Sequence, residues 1–74
     1  AHQYVELADA LRDVGRLDES SQAYVRALAK DPQHIGALWG AGSVAFARGD
    51  YSAARERLEA VLAIDPAYKF GDVS

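Results

Sequence analysis

Seventy-four residues with a net charge of −3 allow one small domain with a modest core. The eight basic side chains are scattered along the chain, which argues against a nucleic acid or an anionic membrane surface as the partner. No cysteine is present, so a disulfide framework and a thiolate metal site are excluded. Apolar runs are only a few residues long, far below the ~20 that cross a bilayer, so we expect no membrane insertion.

The first part of the chain has the apolar spacing of an amphipathic helix. Steps of three and four residues place one set of side chains on a single face: Tyr4, Leu7, Ala8, Leu11 and Val14. Gly15 follows, at a place where a helix commonly ends in the left-handed conformation, and Asp18 is predicted to cap a second helix. The connection is short, so the two helices should pack antiparallel.

Two sequence landmarks repeat with the same period. Residues 28–32 read LAKDP and residues 62–66 read LAIDP, while the bend GRL at 15–17 returns as GDY at 49–51. Both pairs are offset by 34 residues, from 28 to 62 and from 15 to 49. A fixed period of this length is typical of helical repeat proteins.

The Asp-Pro pair separates one unit from the next. A residue before proline is disfavoured in a helix, and Asp as N-cap with Pro at the first helical position starts one. We therefore expect Asp31-Pro32 and Asp65-Pro66 to begin helices, the second of them only a stump near Ala67. The predicted helices span 2–14, 18–30, 33–48 and 52–64.

In register, these residues resemble the tetratricopeptide repeat family, whose helix-turn-helix unit has 34 residues. The matching positions of the first unit are Tyr4, Leu7, Ala8, Leu11, Ser20, Tyr24, Ala27 and Pro32. Those of the second are Leu38, Ala41, Gly42, Ala45, Ala54, Leu58, Val61 and Pro66, with alanine at two usually large positions. The resemblance implies an all-α superhelix, a TPR-like solenoid of two antiparallel hairpins. It places repeats at 1–34 and 35–68, and a tail or truncated further helix at 69–74, within one structural domain.

The resemblance also implies a function. Stacked repeats of this family typically bind an extended or helical peptide in a concave groove, which indicates an interaction scaffold. The candidate groove residues are Val5, Asp9, Arg12, Trp39, Ser43 and Phe46, with His2, Asp13, Gly36 and Ala47 beside them. Trp39 and Phe46 lie seven residues apart on one face, where they would either anchor a partner or turn inward over the alanines at 41 and 45 as core.

Acidic side chains on the first predicted helix, Glu6, Asp9 and Asp13, favour an apolar or basic protein or peptide ligand. Family members that grip the C-terminal carboxylates of chaperones use Lys and Asn where this chain has Val5 and Asp9, and a further Asn aligned with Gly40. None of the three is retained, so the resemblance does not imply that carboxylate clamp.

The last predicted helix suggests an alternative function. Val61, Leu62 and Ile64 form an apolar strip that the next repeat would normally cover. Tyr68 and Phe70 could fold back over it, a downstream repeat could cover it, or another copy of the chain could do so. A homo-oligomer formed through Leu62, Ile64 and Phe70 is therefore the second hypothesis.

Catalysis is not expected, because the chain has few reactive side chains. His2 lies at a terminus and His34 in the first turn of a predicted helix, without the spacing of a triad or a ligand set. We therefore predict no catalytic, cofactor-binding or metal site. The chain begins at Ala1 and contains no methionine, so we interpret it as an excised domain. The compartment stays open, with a soluble domain expected and the cytoplasm slightly favoured.

Overall fold

The structure, a computed structural model, describes residues 2–68 of the chain. Within that range it contains four α-helices: α1 (His2–Asp13), α2 (Leu17–Lys30), α3 (Ile35–Ala47) and α4 (Tyr51–Ile64). The predicted all-α fold is confirmed, with each boundary within two residues of expectation. The predictions for Phe70 and for the tail at 69–74 lie outside the described residues. None of the helices in the described part is long and apolar enough to cross a membrane.

The same bend joins the helices of each hairpin. Gly15 and Gly49 have φ angles of 83° and 84°, a region that L side chains rarely adopt, so glycine is needed at both bends. The amide after each glycine bonds a carbonyl of the last helical turn, Arg16 N to Leu11 O and Asp50 N to Ala45 O, both at 2.9 Å. The predicted role of the glycine bend is thus confirmed in both units.

The helix that follows each bend is capped differently. Asp50 caps α4, its carboxylate accepting the amide of Ala53 at 3.2 Å. The equivalent residue before α2 is Arg16, which makes no side-chain capping bond within the described chain. The prediction that Asp18 is the N-cap is therefore wrong: Asp18 lies in the first turn of α2, where negative charge interacts favourably with the helix dipole.

The Asp-Pro pair ends a helix here and does not begin one. Asp31 is the C-cap of α2, and its carboxylate accepts the amide of Gln33 at 3.2 Å. Helix α3 starts later, with His34 as N-cap, and His34 Nδ1 accepts the amide of Ala37 at 3.1 Å. The predicted capping role of Asp31 is wrong because the turn that the aspartate stabilises delays the next helix until His34 can cap it.

Four helices are stacked as two successive antiparallel hairpins. Helix α1 packs along α2, α3 packs along α4, and α2 lies against α3, with a smaller contact between α1 and α3. One apolar cluster joins both hairpins: Val5, Ala8, Ala23, Tyr24, Ala27, Leu28, Ala37, Leu38, Ala41, Val44 and Val61. Many of these are alanines, which allow the helices to approach closely. The predicted solenoid arrangement is confirmed by this order of packing.

The two hairpins approach each other closely at Tyr24 and Gly40. Tyr24 is fully buried on α2, and a Cβ built on Gly40 of α3 would overlap its ring carbons. Within the first hairpin, the buried Ser20 hydroxyl donates to the carbonyl of Ala8 at 2.7 Å and so joins α2 to α1. Glycine at position 40 is therefore required by the neighbouring ring and not by its own backbone angles.

The variant Gly40→Ala tests this contact. Because the Tyr24 ring is enclosed, we expect overpacking to lower the free energy of unfolding by about 1–3 kcal/mol, measured by urea denaturation. In a Tyr24→Leu background the same substitution should become neutral or stabilising, since alanine is a better helix former by roughly 1 kcal/mol. An equal loss in both backgrounds would contradict the proposed overlap.

Candidate functional site

Helices α1 and α3 meet through a cation and an aromatic ring. The guanidinium carbon of Arg12 lies 5.5 Å from the ring centroid of Trp39, within the distance at which a cation is attracted to an aromatic face. Arg12 Nη2 also lies 3.9 Å from Asp9 Oδ1 on its own helix. Three predicted groove residues are thus brought together across the two hairpins.

Asp9 is held from a second direction by the core. The Tyr24 hydroxyl donates a hydrogen bond to Asp9 Oδ1. Burial of the tyrosine, followed by this hydrogen bond, raises the pKa of Tyr24 far above its ordinary value of 10.0. Asp9 therefore already has two partners, Tyr24 and Arg12, and its charge is partly balanced before any ligand arrives.

The two aromatic residues of α3 have different environments. Trp39 is half-buried and packs against the core cluster, whereas Phe46 is 64% exposed. The Phe46 ring lies 5.3 Å from the ring of Tyr51, with the two planes tilted by 57°. Tyr51 is itself 64% exposed, so the pair forms an aromatic patch at the bend between α3 and α4. Trp39 is therefore partly a core residue, and Phe46 is a surface residue.

Val5 differs from the other predicted groove residues. Its side chain is only 9% exposed and belongs to the apolar cluster that joins the hairpins. The structure contradicts its assignment to a ligand-facing surface, because helix α1 contacts α3 and this part of α1 is enclosed. Val5 therefore contributes to packing and not to exposed area.

A shallow depression of about 220 Å³ lies between α3 and α4. Its lining consists of three predicted groove residues and two framework residues: Trp39, Ser43, Phe46, Gly42 and Leu58. A Cβ on Gly42 would lie 3.1 Å from Leu58 Cδ2, so the missing side chain of glycine helps to keep the depression open. We had not predicted Leu58 as a site residue, although its framework position, equivalent to that of Tyr24, was visible in the sequence.

The predicted self-association strip is only partly exposed. Leu62 and Ile64 are 40% and 39% exposed, but Val61 is fully buried within the fold. The expectation that Val61 needs an additional cover is wrong, because Val61 already lies in the buried core cluster of the described residues. Tyr68 is half-buried against the core, while Phe70, the other residue expected to fold back over the strip, lies outside the described residues.

Reactive side chains are dispersed in the described part of the chain. Among residues 2–68, no three His, Cys, Asp or Glu residues lie close enough together to hold a metal ion. His34 uses Nδ1 to cap α3. His34 is therefore the N-cap of α3 and not, as predicted, a residue of its first turn. Its ring has a structural role.

Tyr24→Phe tests the link between core and surface. Removing the hydroxyl that donates to Asp9 should lower the free energy of unfolding by about 1 kcal/mol near neutral pH. Since the folded-state pKa of Tyr24 is raised, its contribution is present below its ordinary pKa of 10.0 and declines as the pH rises above that value. Urea denaturation at several pH values should thus show the difference from wild type shrinking in alkaline solution.

Tyr51→Phe is the matched control, because Tyr51 is exposed and its ring contact with Phe46 does not need the hydroxyl. Its difference from wild type should be small at every pH. A constant Tyr24→Phe difference across the alkaline range would contradict a buried, hydrogen-bonded hydroxyl.

Comparison with known proteins agrees with this geometry. A family model described as Tetratricopeptide repeat matches residues 5–69, which includes both glycine bends and the whole of α2, α3 and α4. No curated protein matches the chain.

Proposed function

The chain belongs to the tetratricopeptide repeat family, and we propose that it holds a peptide segment of a partner protein against Arg12, Trp39, Ser43 and Phe46. We call these four residues the binding surface. Repeats of this family generally mediate protein–protein interaction and are typically non-catalytic. The observation that carries the proposal is the 64% exposure of Phe46 beside the half-buried Trp39.

The physical basis of the proposal is the cost of leaving aromatic area in water. Covering apolar surface contributes roughly 25 cal/mol per Å², and aromatic side chains often contribute most of the affinity at interfaces. Trp39 is already oriented by the core and by the Arg12 guanidinium. Little side-chain freedom would be lost there on binding, so the depression beside Trp39 and Phe46 is suited to an apolar side chain of a partner.

The charges near the surface indicate which ligands fit less well. Asp9 is engaged by Tyr24 and Arg12, so it offers less attraction to a basic peptide than an unpartnered carboxylate would. Val5, Asp9 and Gly40 stand where carboxylate-gripping relatives use Lys and Asn. We therefore propose an apolar peptide segment as the ligand class, and we do not propose a chaperone C-terminal carboxylate or a substrate for catalysis.

Phe46→Ala is the most direct test of the binding surface. Peptides selected from a displayed random library on the wild-type chain should bind Phe46→Ala more weakly by about 2 kcal/mol, or roughly thirtyfold in Kd. Isothermal titration calorimetry would measure both affinities. Because Phe46 is exposed, circular dichroism should show unchanged helix content. Trp39→Ala is a less specific test, because Trp39 also packs against the core.

Val25→Ala provides the matched control, since Val25 is 49% exposed on α2 and lies away from the binding surface. The substitution removes exposed apolar surface without altering Trp39 or Phe46. If selected peptides lose affinity equally for both variants, or for neither, the binding surface has been assigned to the wrong residues.

A further inference from the structure

The residues that line the depression between α3 and α4 occupy the same positions in the repeat as a surface of the first hairpin that α3 partly covers. Its lining residues are Trp39, Gly42, Ser43, Phe46 and Leu58. The residues 34 positions earlier are Val5, Ala8, Asp9, Arg12 and Tyr24. In the first hairpin this surface meets α3, where Gly40 fits the Tyr24 ring and Trp39 lies beneath Arg12. The depression is thus the equivalent docking site on the second hairpin.

Comparing the exposure of residues 34 positions apart shows how much surface α3 covers on the first hairpin. Leu28, on α2, is 8% exposed and belongs to the core that α3 completes, whereas its equivalent Leu62 is 40% exposed. Tyr24 is fully buried, while its equivalent Leu58 is only half-buried. Ile64 does not share this pattern, because its equivalent Lys30 is exposed even beside α3. Leu62, and not Ile64, therefore marks the open docking surface.

The opposite end of the molecule carries the complementary half of the same interface. A depression of about 270 Å³ is lined by four apolar residues and three polar ones: Tyr4, Leu7, Leu11, Ala23, Glu19, Gln22 and Arg26. In the second hairpin the equivalents of the three α1 residues, Leu38, Ala41 and Ala45, are 3%, 8% and 9% exposed. Leu7 is 52% exposed against 8% for Ala41, so no helix of the described residues covers this α1 surface as the first hairpin covers α3.

We propose that a second copy of the chain docks its α1 into the depression between α3 and α4, repeating between molecules the contact that α3 makes with the first hairpin. The proposal does not rest on the peptide-binding function. It is continuous with an interface already present in the fold, and each chain carries both halves of it. Because Trp39 and Phe46 line the depression, a bound second copy and a bound peptide would compete.

The side-chain sizes at the two ends are complementary. The receiving end is the depression between α3 and α4. There, Gly42 and Leu58 stand at the positions that the larger Ala8 and Tyr24 have in the first hairpin, which leaves room for a docked helix. The inserting end is the exposed surface of α1. There, Leu7 and Leu11 stand at the positions of the smaller Ala41 and Ala45, so they can fill the room at the receiving end.

One position needs separate consideration. Helix α1 has Glu6 where α3 has Gly40, and a side chain there would clash with Tyr24. The receiving end has Leu58 at the place of Tyr24, and leucine lacks the ring that excludes a Cβ. The ring that would meet a Cβ at this position is therefore absent from the receiving end.

The interface is heterologous, since two different surfaces of the same chain meet. Such contacts do not stop at two copies unless the rotation closes a ring, so growth continues from the open ends. Analytical ultracentrifugation of the 74-residue chain over a concentration series should therefore show a mean mass that rises beyond two copies. A chain that stays monomeric at every concentration would overturn the proposal and leave the depression to a helix of another protein.

Two variants that each block one end provide the decisive test. Leu7→Glu places a charge on the inserting end, and Leu62→Glu places one on the receiving end. Each variant alone should be monomeric, with association weakened by about tenfold or more. An equimolar mixture should form a dimer of one copy of each, because the intact receiving end of Leu7→Glu meets the intact inserting end of Leu62→Glu.

Val25→Glu is the matched control, because the equivalent residue of the second hairpin is already Glu59 and the position lies outside both depressions. It should associate like the wild type. Circular dichroism would confirm that every variant is folded, and the milder Leu62→Ser replaces Leu62→Glu if helix content is lost. A mixture that stays monomeric, or variants that still associate alone, would refute the head-to-tail arrangement. Neither blocking variant alters Trp39 or Phe46, so peptide binding can be measured separately on the same monomers.

Discussion

The contact between Tyr24 and Gly40 determines how the two hairpins stack. A fully buried tyrosine ring occupies the space that a side chain at position 40 would need, so α3 can approach α2 only with glycine there. The same tyrosine reaches Asp9 through its hydroxyl, and Asp9 lies beside Arg12. One close approach in the core thereby positions the polar groups at the edge of the α1–α3 surface.

The surfaces that we assign to binding depend on this stacking. With α3 held against the first hairpin, Arg12 lies over Trp39, and Trp39 turns partly into the core while Phe46 remains exposed. The open depression at α4 exists because the second hairpin presents the docking surface again without a third hairpin among the described residues. The proposed peptide binding and the proposed self-association thus depend on the same repeated packing geometry.

The helices and hairpins could be predicted from the sequence, because they depend on local chemistry and periodicity. The 34-residue repeat and the glycines at 15 and 49 were sufficient for four helices in two hairpins, because a left-handed bend and an amphipathic face are local properties. Capping was predicted less well. Asp31 and His34 both offer acceptors, and which of them caps α3 depends on where the chain can leave α2, which a residue pattern does not specify.

The candidate site was harder to predict, because the exposure of each residue depends on the neighbouring helix. Val5, Trp39 and Phe46 all lie on the predicted groove side, yet their exposure differs because each meets a different part of the neighbouring helix. A helical repeat pattern places a residue on a face of its helix. How far a neighbouring helix covers that face depends on side-chain sizes at the contact, here on the absence of a Cβ at Gly40 beside Tyr24.

Nuclear Overhauser effects between the Tyr24 ring protons and the Gly40 α-protons would test the stacking most directly. The structure predicts strong cross-peaks, together with α-proton resonances of Gly40 displaced by the ring current of the tyrosine. A folded, helical chain that lacks these cross-peaks would have its hairpins arranged differently, and both proposed surfaces would have to be abandoned.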